Sequence, residues 1–101
     1  MKKTNTPPTT AAEFLAGGQC ILDQRGKDYD TPGGERSMLK TVEAFNTITG
    51  HNITEADGWQ FMSILKKVRQ YQTPKFHRDS AEDDINYSAL AAEAMAGNNY
   101  E

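Results

Sequence analysis

No stretch of this chain alternates apolar and polar residues over the length of a strand. Its apolar residues instead recur at intervals of three and four, in four segments divided by turn formers. That pattern restricts the fold to an all-α, four-helix domain. With 101 residues there is room for one domain and one core, not two.

The punctuation places the helices. Residues 1–9 carry no apolar anchor and read as a flexible tail. Thr10-Ala11-Ala12-Glu13 has the form of a capping box, and Phe14, Leu15, Ile21 and Leu22 follow at helical spacing, so a first helix is predicted over 11–25. Gly17-Gly18 inside it costs roughly 1 kcal/mol per glycine relative to alanine, which signals a kink or a close approach to a neighbour. The run from Gly26 to Glu35 is a loop. Met38, Val42, Phe45 and Ile48 then predict a second helix over 35–49, ended by Gly50. Thr54-Glu55-Ala56-Asp57 repeats the capping pattern and opens a third helix that Pro74 closes after Thr73. Its apolar residues, from Trp59 to Tyr71, cover more than one stripe, so this helix should be central. A fourth helix is predicted from Ser80 to about Ala96, leaving 98–101 frayed and 10–97 as the domain. The short linker between the third and fourth helices predicts a central antiparallel hairpin.

Hydrophobic residues make up 37% of the chain and there is a single cysteine, Cys20, so the core is thin and no intrachain disulfide can reinforce it. Self-association is the expected remedy. The fourth helix carries one apolar stripe through Ala81, Ile85, Ala89, Ala92 and Met95 and another through Tyr87, Leu90, Ala91 and Ala94, which points to a subunit interface of a homodimer or higher homo-oligomer. No apolar run is long enough for a signal peptide or a membrane span, and with the lone cysteine this reads as a cytoplasmic protein. A net charge of -3 and a pI near 5.3 argue against nonspecific nucleic-acid binding.

The polar residues concentrate at the third and fourth helices. With the turn centred near residue 76, Arg69 falls level with Asp83 and Lys66 a turn deeper, near Tyr87, so Lys66, Arg69, Asp79, Asp83 and Tyr87 are expected to converge. Two readings fit. In one, Arg69 pairs with Asp83, Lys66 is solvated, and Asp79 or Ser80 caps the last helix. In the other, the cations bind phosphate and Asp79 and Asp83 hold a divalent metal through hard oxygen ligands. Glu82 and Asp84 do not share Asp83's face. His77 precedes the helix as a capping residue or a ligand. Arg25 and Tyr29, at the exit from the first helix, either clamp an anion or staple the loop.

The order Arg25…Tyr29, Phe45, Asp57, Lys66…Arg69, His77-Arg78-Asp79-Ser80, Asp83 and Tyr87-Ser88-Ala89-Leu90 resembles a family of small phage and prophage proteins of unknown function, which look like distant members of the MazG-like, all-α nucleotide pyrophosphatase group. The resemblance spans Gln24 to Glu93. It implies a MazG-like bundle completed by oligomerisation, with a nucleotide phosphate as ligand and Mg²⁺ as cofactor. Asp79 and Asp83 then stand as the metal and catalytic residues of a nucleoside triphosphate pyrophosphatase-like hydrolase, and Arg25, Tyr29, Lys66, Arg69, His77 and Tyr87 as ligand-binding residues. The family pairs an E-x-x-E with an E-x-x-D. Here the second helix has Glu35 and Glu43 without that spacing, and Ser80 replaces the first acid of the later pair, so half of the metal-ligand set carries over. The alternative class is a non-enzymatic phage accessory protein that binds and inhibits a host protein through its acidic surface.

Overall fold

The computed structural model describes residues 8–28 and 37–97. They form four helices, α1 (Ala11–Asp28), α2 (Met38–Thr49), α3 (Glu55–Gln72) and α4 (Arg78–Gly97), and no strand occurs among the described residues.

Local hydrogen bonding explains most of the boundaries. At the start of α1, Glu13 N–H donates to Thr10 Oγ1 at 3.1 Å while Thr10 N–H donates to Glu13 Oε1 at 3.1 Å, the reciprocal capping box expected there. The helix runs three residues past the predicted end. α2 begins at Met38, with Ser37 before it making no side-chain cap, and the predicted positions 35 and 36 lie outside the described residues. Gly50 ends α2 at φ 77, the left-handed conformation that glycine adopts without a Cβ penalty, and its N–H donates to Asn46 O at 2.9 Å. Asn46 then clamps the next turn, donating to Ile53 O and accepting from Ile53 N, each at 3.0 Å. Thr54 and Asp57 close a second capping box at the start of α3.

The fourth helix starts two residues earlier than predicted. His77 is the reason. Its Nδ1 accepts from Ser80 N–H at 3.2 Å, and its carbonyl accepts from Ala81 N–H at 3.2 Å, so the imidazole takes the place usually held by Ser, Thr, Asp or Asn. Neither Asp79 nor Ser80 caps; Ser80 is fully buried.

α3 and α4 pack as an antiparallel hairpin: Gln70 donates to His77 O, Lys67 meets Asp84, and Trp59 packs with Leu90, each pair wider apart in sequence than the last. α1 lies against α4, and α2 against α3 alone. Gly17 and Gly18 are where α1 comes down. A Cβ at Gly17 would lie 2.4 Å from Glu82 Oε2, and one at Gly18 would lie 3.0 Å from Asn86 Oδ1. The glycines therefore mark close approach. Gly58 does the same for α2, since a Cβ there would meet Met38 Sδ at 2.5 Å.

The core is as thin as the composition demands. Trp59, Leu90 and Ala91 form its centre, with Leu22, Met38, Tyr87 and Ala94 packed around them. Ser63, Ser80, Glu82 and Asn86 are buried beside them, so much of the interior is polar and must be hydrogen-bonded to be tolerated. The stripe of α4 that includes Tyr87, Leu90 and Ala91 is covered within the chain by this packing.

Candidate functional site

Three helices bring charge to one place. Lys66 Nζ of α3 lies 3.0 Å from Asp83 Oδ2 of α4, and Arg25 Nη2 of α1 lies 3.9 Å from Asp83 Oδ1. Lys66 and Asp83 are sheltered, at 13% and 16% side-chain exposure, whereas Arg25 is 42% exposed. The short contact is a partly desolvated ion pair. The long one leaves the guanidinium with donors facing water.

Beside this group Trp59 and Tyr87 stack, with ring centroids 5.7 Å apart at 21°. A cleft of about 20 Å³ lies between the rings and the Arg25–Asp83 pair, closed by Leu22, Asn86 and Leu90. Trp59 Nε1 is buried without a hydrogen-bond partner, a cost that a donor of this kind normally avoids.

The residues singled out by sequence separate into two sets. Arg25, Asp83 and Tyr87 line this cleft, and Lys66 pairs with Asp83 beside it. Arg69 does not. Three residues beyond Lys66 it falls about 60° short of a full turn, on a different line of the helix; it is exposed and forms no ion pair with Asp83. The expected Arg69–Asp83 pair is thus replaced by Lys66–Asp83, because the rotation of α3 and not axial level alone decides which cation faces α4. Asp79 is exposed in the first turn of α4. His77 caps that helix from its exposed position and stands away from the cleft. Tyr29 lies outside the described residues.

A second cluster was missed. Lys67 Nζ contacts Asp84 Oδ1 at 2.7 Å and Ser63 Oγ at 2.9 Å; Ser63 also donates to Asp84 and lies 3.3 Å from Ser88 Oγ. Its signal was the i, i+4 spacing of Ser63 and Lys67 facing a carboxylate on the next helix. Glu82, fully buried, has Arg78 Nε 3.4 Å from its Oε2, and Gly17 approaches the same oxygen. Glu82 and Asp84 do turn away from Asp83's face, one towards α1 and the other towards α3.

Asp83 presents its two oxygens to Lys66 and Arg25, Asp79 is out in solvent, and no group of three His, Cys, Asp or Glu residues could hold a metal among the described residues. Hard divalent cations need several oxygen ligands, so these residues do not fit a magnesium centre. Comparison of the chain with family models, with curated proteins and with solved structures gave no match in any of the three.

Proposed function

We propose that this is a MazG-like helical protein that binds a nucleoside phosphate at the α1–α3–α4 junction, with Arg25 and Lys66 receiving the phosphate and Tyr87 beside the base. The observation that carries the reading is that Arg25 of α1 and Lys66 of α3 both meet Asp83 of α4, beside a cleft that Arg25, Asp83 and Tyr87 line next to the stacked rings.

The charges explain how such a site works. Asp83 holds Lys66 in place and keeps two nearby cations from repelling each other. Arg25 is the adaptable member: its pair with Asp83 is long and open to water, so an arriving phosphate oxygen can take its donors in bidentate fashion at little cost. Tyr87 borders the cleft next to Arg25 and Asp83, so a base placed beside it would contact the ring without its edge being read. Binding, and not turnover, is what this residue set supports.

Calorimetric titration of nucleoside mono-, di- and triphosphates, in EDTA and then in Mg²⁺, tests the reading. Saturable binding in EDTA that weakens about tenfold in Arg25→Ala, a loss of ~1.4 kcal/mol, is expected. Absence of binding to every nucleotide in both buffers overturns the proposal, and pyrophosphate release in Mg²⁺ would extend it to hydrolysis.

A further inference from the structure

Trp59 sits at the centre of the core, 3% exposed, yet it carries a hydrogen-bond donor that a phenylalanine or a leucine there would not bring. Among the described residues, its Nε1 is the only buried side-chain nitrogen or oxygen without a hydrogen-bond partner. Such a donor has lost its water and gained nothing in exchange, a deficit that a bound acceptor removes.

Trp59 also lines the cleft of about 20 Å³ that Asp83 borders. The two side chains offer opposite chemistry, because an indole N–H only donates and a carboxylate only accepts. Asp83 Oδ2 is taken by Lys66 at 3.0 Å, but Oδ1 lies 3.9 Å from Arg25 Nη2, beyond hydrogen-bond reach, so it keeps the capacity to accept. A space this small takes a group on the order of a hydroxyl or a water and excludes a heterocycle. A phosphate oxygen there would face the carboxylate with no proton between them. An ammonium group would have no lone pair for the indole. A hydroxyl accepts from one and donates to the other.

We infer that the cleft is a hydroxyl subsite, in which a sugar hydroxyl of the ligand accepts from Trp59 Nε1–H and donates to Asp83 Oδ1. It rests on the nucleoside phosphate site proposed above and narrows the ligand to nucleotides whose sugar keeps a free hydroxyl. The order of parts agrees. In a nucleotide the sugar joins the phosphate to the base, and here Asp83 meets both cations while Trp59 stacks on Tyr87, so these two residues stand between the phosphate end and the base end. A ligand without the hydroxyl leaves the indole N–H unanswered and forfeits both hydrogen bonds.

The chain has one tryptophan, so its indole N–H gives a single proton–nitrogen NMR signal that reads this contact in the unmodified protein. The isotope-labelled full chain is titrated in EDTA with ATP, with dideoxy-ATP, which has the same base and phosphates, and with ribose-5-phosphate. ATP should move the indole proton downfield and bind about tenfold or more tighter than dideoxy-ATP, which should leave that signal near its free position. Equal affinities of the two nucleotides, or an indole signal that no probe moves, overturn the hydroxyl subsite; equal affinities leave the nucleoside phosphate site standing. A downfield shift with ribose-5-phosphate while neither nucleotide binds supports the subsite and overturns the nucleotide.

Discussion

Lys66 Nζ lies 3.0 Å from Asp83 Oδ2, joining α3 to α4 across a surface where both side chains have lost most of their water. A pair in this setting differs from an exposed one, because either partner left alone keeps its desolvation cost without its compensation.

Removing one partner is therefore expected to hurt more than removing both. Asp83→Ala should destabilise the domain by about 1–3 kcal/mol, between the ranges for exposed and fully buried pairs, and Lys66→Met should do the same. The double variant should recover a good part of the loss. A urea-unfolding double-mutant cycle measures the coupling. Arg69→Ala is the control, exposed and unpaired with Asp83, and should change stability by less than about 0.5 kcal/mol. Equal losses in Arg69→Ala and Lys66→Met would show that the wrong cation has been paired.

Gly17 sets how near α1 can lie to α4. Alanine there gains about 1 kcal/mol of helix propensity, yet its Cβ would fall 2.4 Å from an oxygen of the fully buried Glu82. Glu82 cannot swing out without leaving Arg78. Gly17→Ala should thus be destabilising by about 1–3 kcal/mol, the usual cost of overpacking, and a gain in thermal stability would show that the glycine is not a spacer.

The helices were legible because they are punctuated: Thr10-x-x-Glu13, Thr54-x-x-Asp57, Gly50 and Pro74 each state a boundary in local chemistry. The start of α4 was read late because a histidine does the capping, a role its residue type does not announce. The cleft was half legible. Helix geometry gave the level of Lys66 and Asp83, but the rotation of α3 in the hairpin, set by Trp59 packing on Leu90, chose Lys66 over Arg69. Arg25 entered because Gly17 and Gly18 bring α1 close, and a glycine pair does not say which neighbour it admits. The apolar excess of α3 was visible; that Phe61, Ile64, Val68 and Tyr71 face outward needed the hairpin's orientation.

Glu13 supplies a pH-dependent contact at the start of α1. Hydrogen bonds from the backbone N–H groups of Thr9 and then Thr10 hold its carboxyl below the ordinary value of 4.5. A carboxyl depressed in the folded state contributes stability above its unfolded value, and that contribution is lost as pH falls through the folded one. Amide protection in the first turn of α1, taken relative to the intrinsic exchange rate at each pH, should fall on acidification below about pH 4.5, and Glu13→Gln should flatten that dependence. A carboxyl midpoint at or above 4.5 in an NMR titration would contradict the capping assignment.

His77 caps α4 by accepting from Ser80 N–H at Nδ1, which puts the ring proton on Nε2 in this arrangement. Ser80 Oγ lies 2.6 Å from the same nitrogen, and Ser80 is fully buried, so the cap is built partly into the interior. His77→Ala should remove about 0.5–2 kcal/mol, the ordinary loss for a helix cap, and should fray the residues from Arg78 to Ala81. His77→Asn offers a side-chain oxygen to the same N–H and should restore most of the loss. Both are read by chemical denaturation with amide exchange across the first turn of α4. Nucleotide affinity should stay unchanged in His77→Asn, because the ring stands outside the cleft of Arg25, Asp83 and Tyr87; a parallel loss of binding would return His77 to the ligand-binding set.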